Sequence, residues 1–545
     1  MRKGRGMKRL AAILATSLLA APAVGCLDED PYAGDEVKSE DGKADASALG
    51  VFLDAEFTGK LVVDSSWNDQ DTIENHLLYL VGQLNGHDAG VRYDNAVITN
   101  VQKTTVGGKV QITYKAKVPV LWPKRNGTVT ELAVYLPLDL SYTGQEAFAT
   151  KYGHDCVDFG AHDVDSGSMF YYFRPEASGC NLAAGDIHKV KATVAPSPVQ
   201  TSGKYPEYNK IWEDNALNIV AIFGKYEDGA TTGSDAGIAA YNEFIASMKT
   251  ELRDRAPTTI PATVPTSPGV GTPDIEFHGT LADGKKINVY ALLTDNVRTG
   301  LSQPAFRTRY EGLSSKADFI TYNGHAGLGA NIKALSQAGK WVTGQYLVMF
   351  QNGCDTMAYI DSSLADAHKA VNPDDTTGYK YVDIINNAMP AYFSNMSEAS
   401  LAYIRGFLSY GSPMTYEKIM SSVSASQLNM VTGEQDNTFT PGGGGTPVAW
   451  AGLNESGSVA KSAKKTFTTP TLAEGTYEFK MTGTGDADLY VKVGGSPSLT
   501  TYDCRPYKTG SAEACRVTIA QPTTIGVMVN GYAASSTFKV VGKKI

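Results

Sequence analysis

Four short apolar runs near the middle of the chain constrain its fold more than any other feature. They are "ALNIVAIFGKY" (216–226), "KKINVYALLTD" (285–295), "ADFITYN" (317–323) and "YLVMFQ" (346–351). Each is bounded by polar turns and is too short and continuous for a surface helix, which is how a parallel strand buried on both faces reads. Amphipathic segments alternate with them. In "SDAGIAAYNEFIASMKTEL" (234–252), Ser234 or Asp235 caps a helix that puts Ile238, Tyr241, Phe244, Ile245 and Met248 on one face. "QPAFRTRYEGLSSK" and "ANIKALSQAG" are further helices, and "DIEFHGTLADGKKINVYALLTD" is a hairpin turned at Asp283-Gly284. Strands alternating with helices predict a parallel sheet covered on both faces. In such sheets functional groups gather beyond the carboxyl ends of the strands.

Two side chains stand at that position. His325 follows the strand at 317–323, and Cys354 follows the strand at 346–351, 29 positions later. Neighbouring parallel strands lie about 4.8 Å apart, so both side chains can face one cleft. A thiol is only partly ionised at neutral pH, and an adjacent imidazole can take its proton or later return one to a leaving amine. The amides of Cys354, Ala326 and Gly327 are the expected oxyanion donors. Gly324, Gly327 and Gly353 permit the close backbone approach this needs. Asp355 either selects a basic substrate residue or caps the helix that follows.

The 545 residues exceed one ordinary core, so about three domains are expected. Residues 1–25 read as an export signal, with a basic start and the apolar run "AAILATSLLAAPAVG". Ala23-Val24-Gly25-Cys26 resembles a bacterial lipobox, which implies a lipid on Cys26. Residues 26–48 are acidic and polar, a disordered tether. Residues 49–200 read as an α+β domain of unknown role, with strands in "VFLDAEFTGKLVV", "KVQITYKAKVPVL" and "GSMFYYFRPEASGC" and a helix over Ile73–Val81 stopped at Gly86. The net charge of -9, with no basic cluster past the N-terminus, argues against a nucleic-acid partner.

An exported chain meets oxidising conditions, so its cysteines should pair or have a task. Cys156 is expected to pair with Cys180 and Cys504 with Cys515, each worth about 3 kcal/mol by loop closure. Cys354 is then left over, as a buried core thiol or a used one. His154, His162, Asp163 and Asp165 cluster near Cys156, but their spacing fits no standard zinc pattern.

The strand "FITYNGHAG" and the strand "YLVMFQNGCDT" resemble the histidine and cysteine strands of the caspase–gingipain–legumain group of cysteine peptidases, over about 205–440. The resemblance implies a dyad with Cys354 as nucleophile and His325 as general acid and base. Ala326 stands where that group usually has a glycine after the histidine. His278-Gly279 is a rival His-Gly, but it precedes a hairpin turn instead of closing a buried strand. His368 lies in a polar stretch and is expected to face solvent. No HEXXH, GxSxG or P-loop motif occurs.

"TPGGGGTP" (440–447) is a flexible linker. Residues 448–545 alternate apolar and polar residues between glycines, an all-β pattern. "GDADLYVKVGGSPSLTTYDCRPYKTGSAEACRVTI" and "VMVNGYAASSTFKVV" closely resemble the bacterial pre-peptidase C-terminal domain. That resemblance implies a small β-sandwich with Cys504 paired to Cys515, and it accompanies peptidases. Asp486 and Asp488 are candidates for a structural calcium, with turn formation as the plainer role. Tyr490, Tyr502 and Tyr507 are expected in the core.

The sequence is therefore expected to give a multidomain protein: an α+β N-terminal domain, a caspase-like α/β parallel-sheet domain and an all-β sandwich C-terminal domain. The expected function is an exported cysteine endopeptidase acting on proteins or peptides, requiring no cofactor, at the bacterial envelope or outside it. It would touch a membrane only through its N-terminal lipid. The alternative is an inactive cell-surface binding or adhesion protein on a caspase-like scaffold.

Overall fold

The computed structural model describes residues 47–161, 164–197, 201–441, 448–519 and 522–545. The signal segment, Cys26, most of the tether, His162, Asp163 and most of the glycine linker lie outside the described residues. Two compact units form. One runs to Leu408 and takes in Thr415–Asn437; the other comprises Ser409–Met414 and Thr438–Ile545.

The first unit holds two lobes. Its N-terminal lobe is an antiparallel sheet of β1 (Gly50–Val63), β2 (Gly90–Val91), β3 (Val97–Val106), β4 (Lys109–Pro123), β5 (Glu131–Pro137) and β6 (Ile187–Pro196), in the order β2-β4-β1-β6-β5 with β3 beside β4. Helices Asp69–Leu77 and Tyr79–Asn85 cover it. Asn68 caps the first by accepting from the amides of Gln70 and Asp71, and Gly86 ends the second. The segment expected as a strand, 167–180, instead opens with a short helix, Met169–Tyr172. Asp165 explains the difference. Its side chain accepts from the amides of Gly167 and Ser168, and this turn feeds a helix despite the β-favouring aromatics.

The second lobe is built on an eight-stranded sheet. Its strands are β7 (Ala216–Gly224), β8 (Thr258–Ile260), β9 (Asp274–Thr280), β10 (Lys286–Thr294), β11 (Phe319–Asn323), β12 (Leu347–Asn352), β13 (Val382–Asn387) and β14 (Asn429–Thr432), in the order β14-β13-β12-β11-β7-β10-β9-β8. The five central strands are parallel; β14, β9 and β8 run antiparallel at the edges. Helices cover both faces, as the alternation predicts. Phe223 packs on Phe244 and Phe319 on Phe407 on one face; Ile320, Tyr322, Met349 and Ile384 pack with Ile332, Leu335 and Leu364 on the other. The turn at Asp283-Gly284 joins β9 to β10, with Gly284 at φ 92. Strand order reverses between β7 and β11, the position where open sheets leave a crevice at their carboxyl ends.

The lobes share their cores. Cys354, Ala358, Ala391, Phe393 and Met396 belong to the same apolar cluster as Leu61, Leu80 and Phe173 of the N-terminal lobe. Phe52 and Leu121 pack with Met357, Met389 and Met430 in a second. Arg92 donates to Thr432 Oγ1 at 2.9 Å across the same seam.

The second unit is an antiparallel β-sandwich. A four-stranded sheet orders β15 (Leu453–Ala460), β21 (Ser535–Lys544), β17 (Gly475–Thr482) and β19 (Glu513–Ile519). A three-stranded sheet orders β16 (Lys464–Thr468), β20 (Ile525–Gly531) and β18 (Ala487–Val493). Phe479, Leu489, Val527 and Val540 fill the space between them, with Cys515. Among the described residues no helix is long and apolar enough to cross a membrane.

Candidate functional site

The loops after β11 and β12 touch. Asn323 pairs with Asn352 in the parallel register, so the two chains leave the sheet side by side. A Cβ on Gly353 would lie 2.7 Å from Gly324 O and 3.2 Å from Ala326 N. Only a residue without a side chain lets these backbones meet. Gly353→Ala is expected to cost about 1–3 kcal/mol by forcing them apart, read as a lower urea midpoint.

The loop after β11 is tightly wound. Gly327, Leu328 and Gly329 all take positive φ, and Leu328 does so without glycine's freedom. The carbonyls of Ala326 and Gly327 accept from the amides of Gly329, Asn331 and Ala330, which starts the helix Ala330–Ala338. His325 is buried, and Nε2 lies 2.9 Å from Tyr226 O, so that nitrogen carries the proton and donates. The ring rests against Tyr226 and Phe393, with centroids 5.3 and 5.2 Å away. Burial pushes its pKa below the ordinary imidazole value.

Cys354 is also buried. Its Sγ lies 3.4 Å from Ala391 N and 3.5 Å from Ala391 O. Since Ala391 lies two residues before Phe393, which begins the helix Phe393–Leu408, the structure brings His325 and Cys354 to a single patch at the switch point. The patch is closed, however: the N-terminal lobe shares its core there. Cys354 is itself disulfide-bonded, and no described cysteine is free. A half-cystine has no thiolate with which to attack. Of the expected oxyanion donors, Ala326 is buried with its nitrogen toward the Gly353 backbone, and the neighbouring Asp355 amide is taken by Met389 O at 3.0 Å.

Beneath the patch runs a ladder of buried amide side chains. Asn352 donates to Asn323 Oδ1 and accepts from Asn387 Nδ2, both at 2.8 Å, and Asn429 donates to Asn387. Ser400 donates to Asn323 Oδ1, and Asn352 also contacts Met396 O. These rungs cross the ends of β11, β12, β13 and β14 and fix the spacing of both loops. The sequence carried a signal for them: Asn-Gly precedes both His325 and Cys354, and Asn386-Asn387 ends β13.

The remaining sequence-expected residues lie elsewhere. His278 stays within the β9–β10 hairpin, 2.9 Å from both Asn288 Oδ1 and Glu276 Oε2. His368, expected in solvent, is fully buried against Trp341, because the helix Ser363–Val371 turns it inward. Asp355 neither faces solvent nor makes a cap bond; it is buried at φ 51. Cys156 bonds Cys180 and Cys504 bonds Cys515. His154 pairs with exposed Asp155 at 2.6 Å, and Asp165 serves its turn. Asp486 accepts from Gly510 N, and Asp488 faces Arg505 at 3.5 Å. Tyr490 is buried, but Tyr502 and Tyr507 are 40% and 69% exposed, because the loop over the outer face of β18 leaves them at its rim. Arg505 lies between the Tyr490 and Tyr507 rings.

Residues 459–531 match the bacterial pre-peptidase C-terminal domain, so the β-sandwich is a domain of that class. Relatives match over 51 residues, 9% of this chain. They include the neutral protease of Vibrio proteolyticus (57% identical, 8% of that protein), the zinc metalloprotease of Helicobacter pylori (53%, 20%) and the alkaline serine exoprotease A of Vibrio alginolyticus (47%, 10%). The chain thus spans a fifth or less of the length of each. These findings correct the expected function. The named relatives are zinc and serine proteases matched only over an appendage, and nothing in them supports a cysteine peptidase. With a disulfide on Cys354 and a closed patch around it, the expected dyad of Cys354 and His325 has no attacking thiolate.

Proposed function

We propose that the protein is an exported, protease-related binding protein. In this reading the pre-peptidase C-terminal domain attaches the chain to a polymeric protein target, and the larger unit is a caspase-like scaffold that holds a protein or peptide without cleaving it. The carrying observation is the match at 459–531, in a class of domain shared by proteins named for zinc and for serine chemistry. A module common to different catalytic chemistries supplies none of them. What it can supply to all is attachment. Two disulfides support an oxidising compartment outside the cytoplasm. The caspase-like assignment is supported by adjacent parallel strands that run into Gly324-His325 and Gly353-Cys354.

In this reading no cofactor is required, and nucleic acid is not a partner. Calcium acts only on the stability of the β-sandwich, through Asp486 and Asp488. The test is sedimentation of the full chain with insoluble protein fibres. Tyr507 and Tyr532 are the most exposed rings among the described residues of the sandwich, at 69% and 64%, and aromatic side chains dominate binding surfaces. Tyr507→Ser with Tyr532→Ser is expected to weaken retention at least tenfold, while a peptide library stays uncut by either protein. Retention unchanged in the double variant, or none by the intact chain, overturns the proposal.

A further inference from the structure

The N-terminal lobe holds a cleft of about 890 Å³, well away from the His325–Cys354 patch. Its walls are the loops 153–161 and 174–179, and its floor is the end of the helix Tyr79–Asn85. The walls are tied together. Cys156 bonds Cys180, Arg174 N donates to Cys156 O at 2.8 Å, and the Arg174 guanidinium joins Gly82 O to Asp158. A preformed concavity of this size suits an organic ligand.

Gln83 decides what the floor can bind. It is 4% exposed, and its Oε1 accepts from Tyr135 N at 2.9 Å. Only the amide oxygen can meet a backbone N–H, so the Nε2 end turns away from β5, and Gln83 lines the cleft. Among the described residues no hydrogen bond engages that Nε2. A buried donor of this kind calls for an acceptor on the ligand. Charge decides the rest. The described lining has three carboxylates, Asp155, Asp158 and Glu176, against one guanidinium, Arg174, which Asp158 already meets at 3.0 Å. Asp155 and Glu176 face His154 and His87 at 2.6 and 3.3 Å, and neither forms an ion pair with a described lysine or arginine. Both carboxylates open to solvent at the rim, and Phe159, also in the lining, is fully exposed.

We propose that this cleft holds an extended peptide segment by a lysine or arginine side chain. A backbone carbonyl of the segment accepts from Gln83 Nε2, the cationic head meets Asp155 and Glu176, and its aliphatic stem lies on Phe159. A free polyamine has no acceptor for Gln83, and a phosphate-bearing ligand would meet the surplus of carboxylates. The proposal rests on the reading of the larger unit as a holder of peptides, and gives that reading a place and a ligand class. It is separate from the attachment assigned to the β-sandwich.

Fluorescence anisotropy of the full chain with labelled, end-capped peptides tests this. The probes share the sequence Ala-Gly-Ala-Xaa-Ala-Gly-Ala, with arginine, citrulline or glutamate at Xaa; citrulline keeps the shape of arginine without its charge. The arginine peptide is expected to bind at least about fivefold tighter than the citrulline peptide, with an advantage that shrinks as salt is raised. Asp155→Asn with Glu176→Gln, both at the rim, should abolish that advantage and spare the citrulline peptide. Phe159→Ser should weaken both peptides. Asp283→Asn, on the exposed hairpin turn, should behave as the wild type. Arginine and citrulline peptides bound alike, or an advantage that survives the double variant, overturn this site and leave the larger unit a holder of peptides. No binding of any of the three up to about 1 mM overturns both.

Discussion

Asn352→Ala is expected to destabilise the larger unit by about 3–5 kcal/mol, more than most single substitutions. Asn352 is the central rung of the amide ladder. It donates to Asn323 Oδ1, accepts from Asn387 Nδ2, and also receives Gln427 Nε2 at 3.3 Å. Truncation takes a partner from each of these groups in a region sealed from water. The cost is the desolvation already spent on them, not merely one lost bond. Asn323 and Asn387 keep weaker second partners in Ser400 and Gly353 O, which bounds the loss. Urea unfolding of wild type and variant at pH 7 measures it. A shift of under about 1 kcal/mol would mean that the ladder is replaceable by water, and the fixed spacing of the His325 and Cys354 loops would need another cause.

The parallel core was legible because its physics is local. Strands buried on both faces are continuous apolar runs, and the helix at Ala236–Glu251 announces itself by its period and by Asp235, which caps it through the Ile238 amide. The positions of His325 and Cys354 followed from strand ends alone. What stayed hidden depends on contacts distant in sequence. Nothing near Cys354 indicates that residues from the N-terminal lobe close over it. His368 sits among polar letters, yet its helix faces Trp341 from the preceding crossover. The expected chemistry failed at the same level. A thiol and an imidazole at adjacent strand ends are necessary for a nucleophilic pair, but exposure and a free sulfur are tertiary facts.

The stability gap between His368→Phe and wild type is expected to widen in the variant's favour by about 3 kcal/mol between pH 7 and pH 4. His368 is fully buried, its ring centroid lies 5.0 Å from that of Trp341, and neither ring nitrogen has a hydrogen-bond partner. Burial therefore holds its pKa down to about 4, against an ordinary value of 6.5; the nearby Asp375 opposes this only in part. The folded value is lower than the unfolded one. Above pH 6.5 both states are neutral and the histidine contributes no pH dependence. Below it the unfolded chain takes up a proton that the folded chain refuses, and stability falls by about 1.4 kcal/mol per pH unit until about pH 4. The absolute acid stability of the chain mixes several buried groups. His76, held down to about 3, acts in the same direction, while Asp318, raised to about 8, acts in the opposite one. Both are present in each protein and cancel in the difference. Phenylalanine keeps the contact with Trp341 and removes both unpartnered nitrogens. Urea midpoints for the pair at pH 7, 6, 5 and 4.5 should diverge steadily as the pH falls. Parallel curves would show that water or a rearranged partner reaches His368, and His368 would then not be a source of the chain's acid lability.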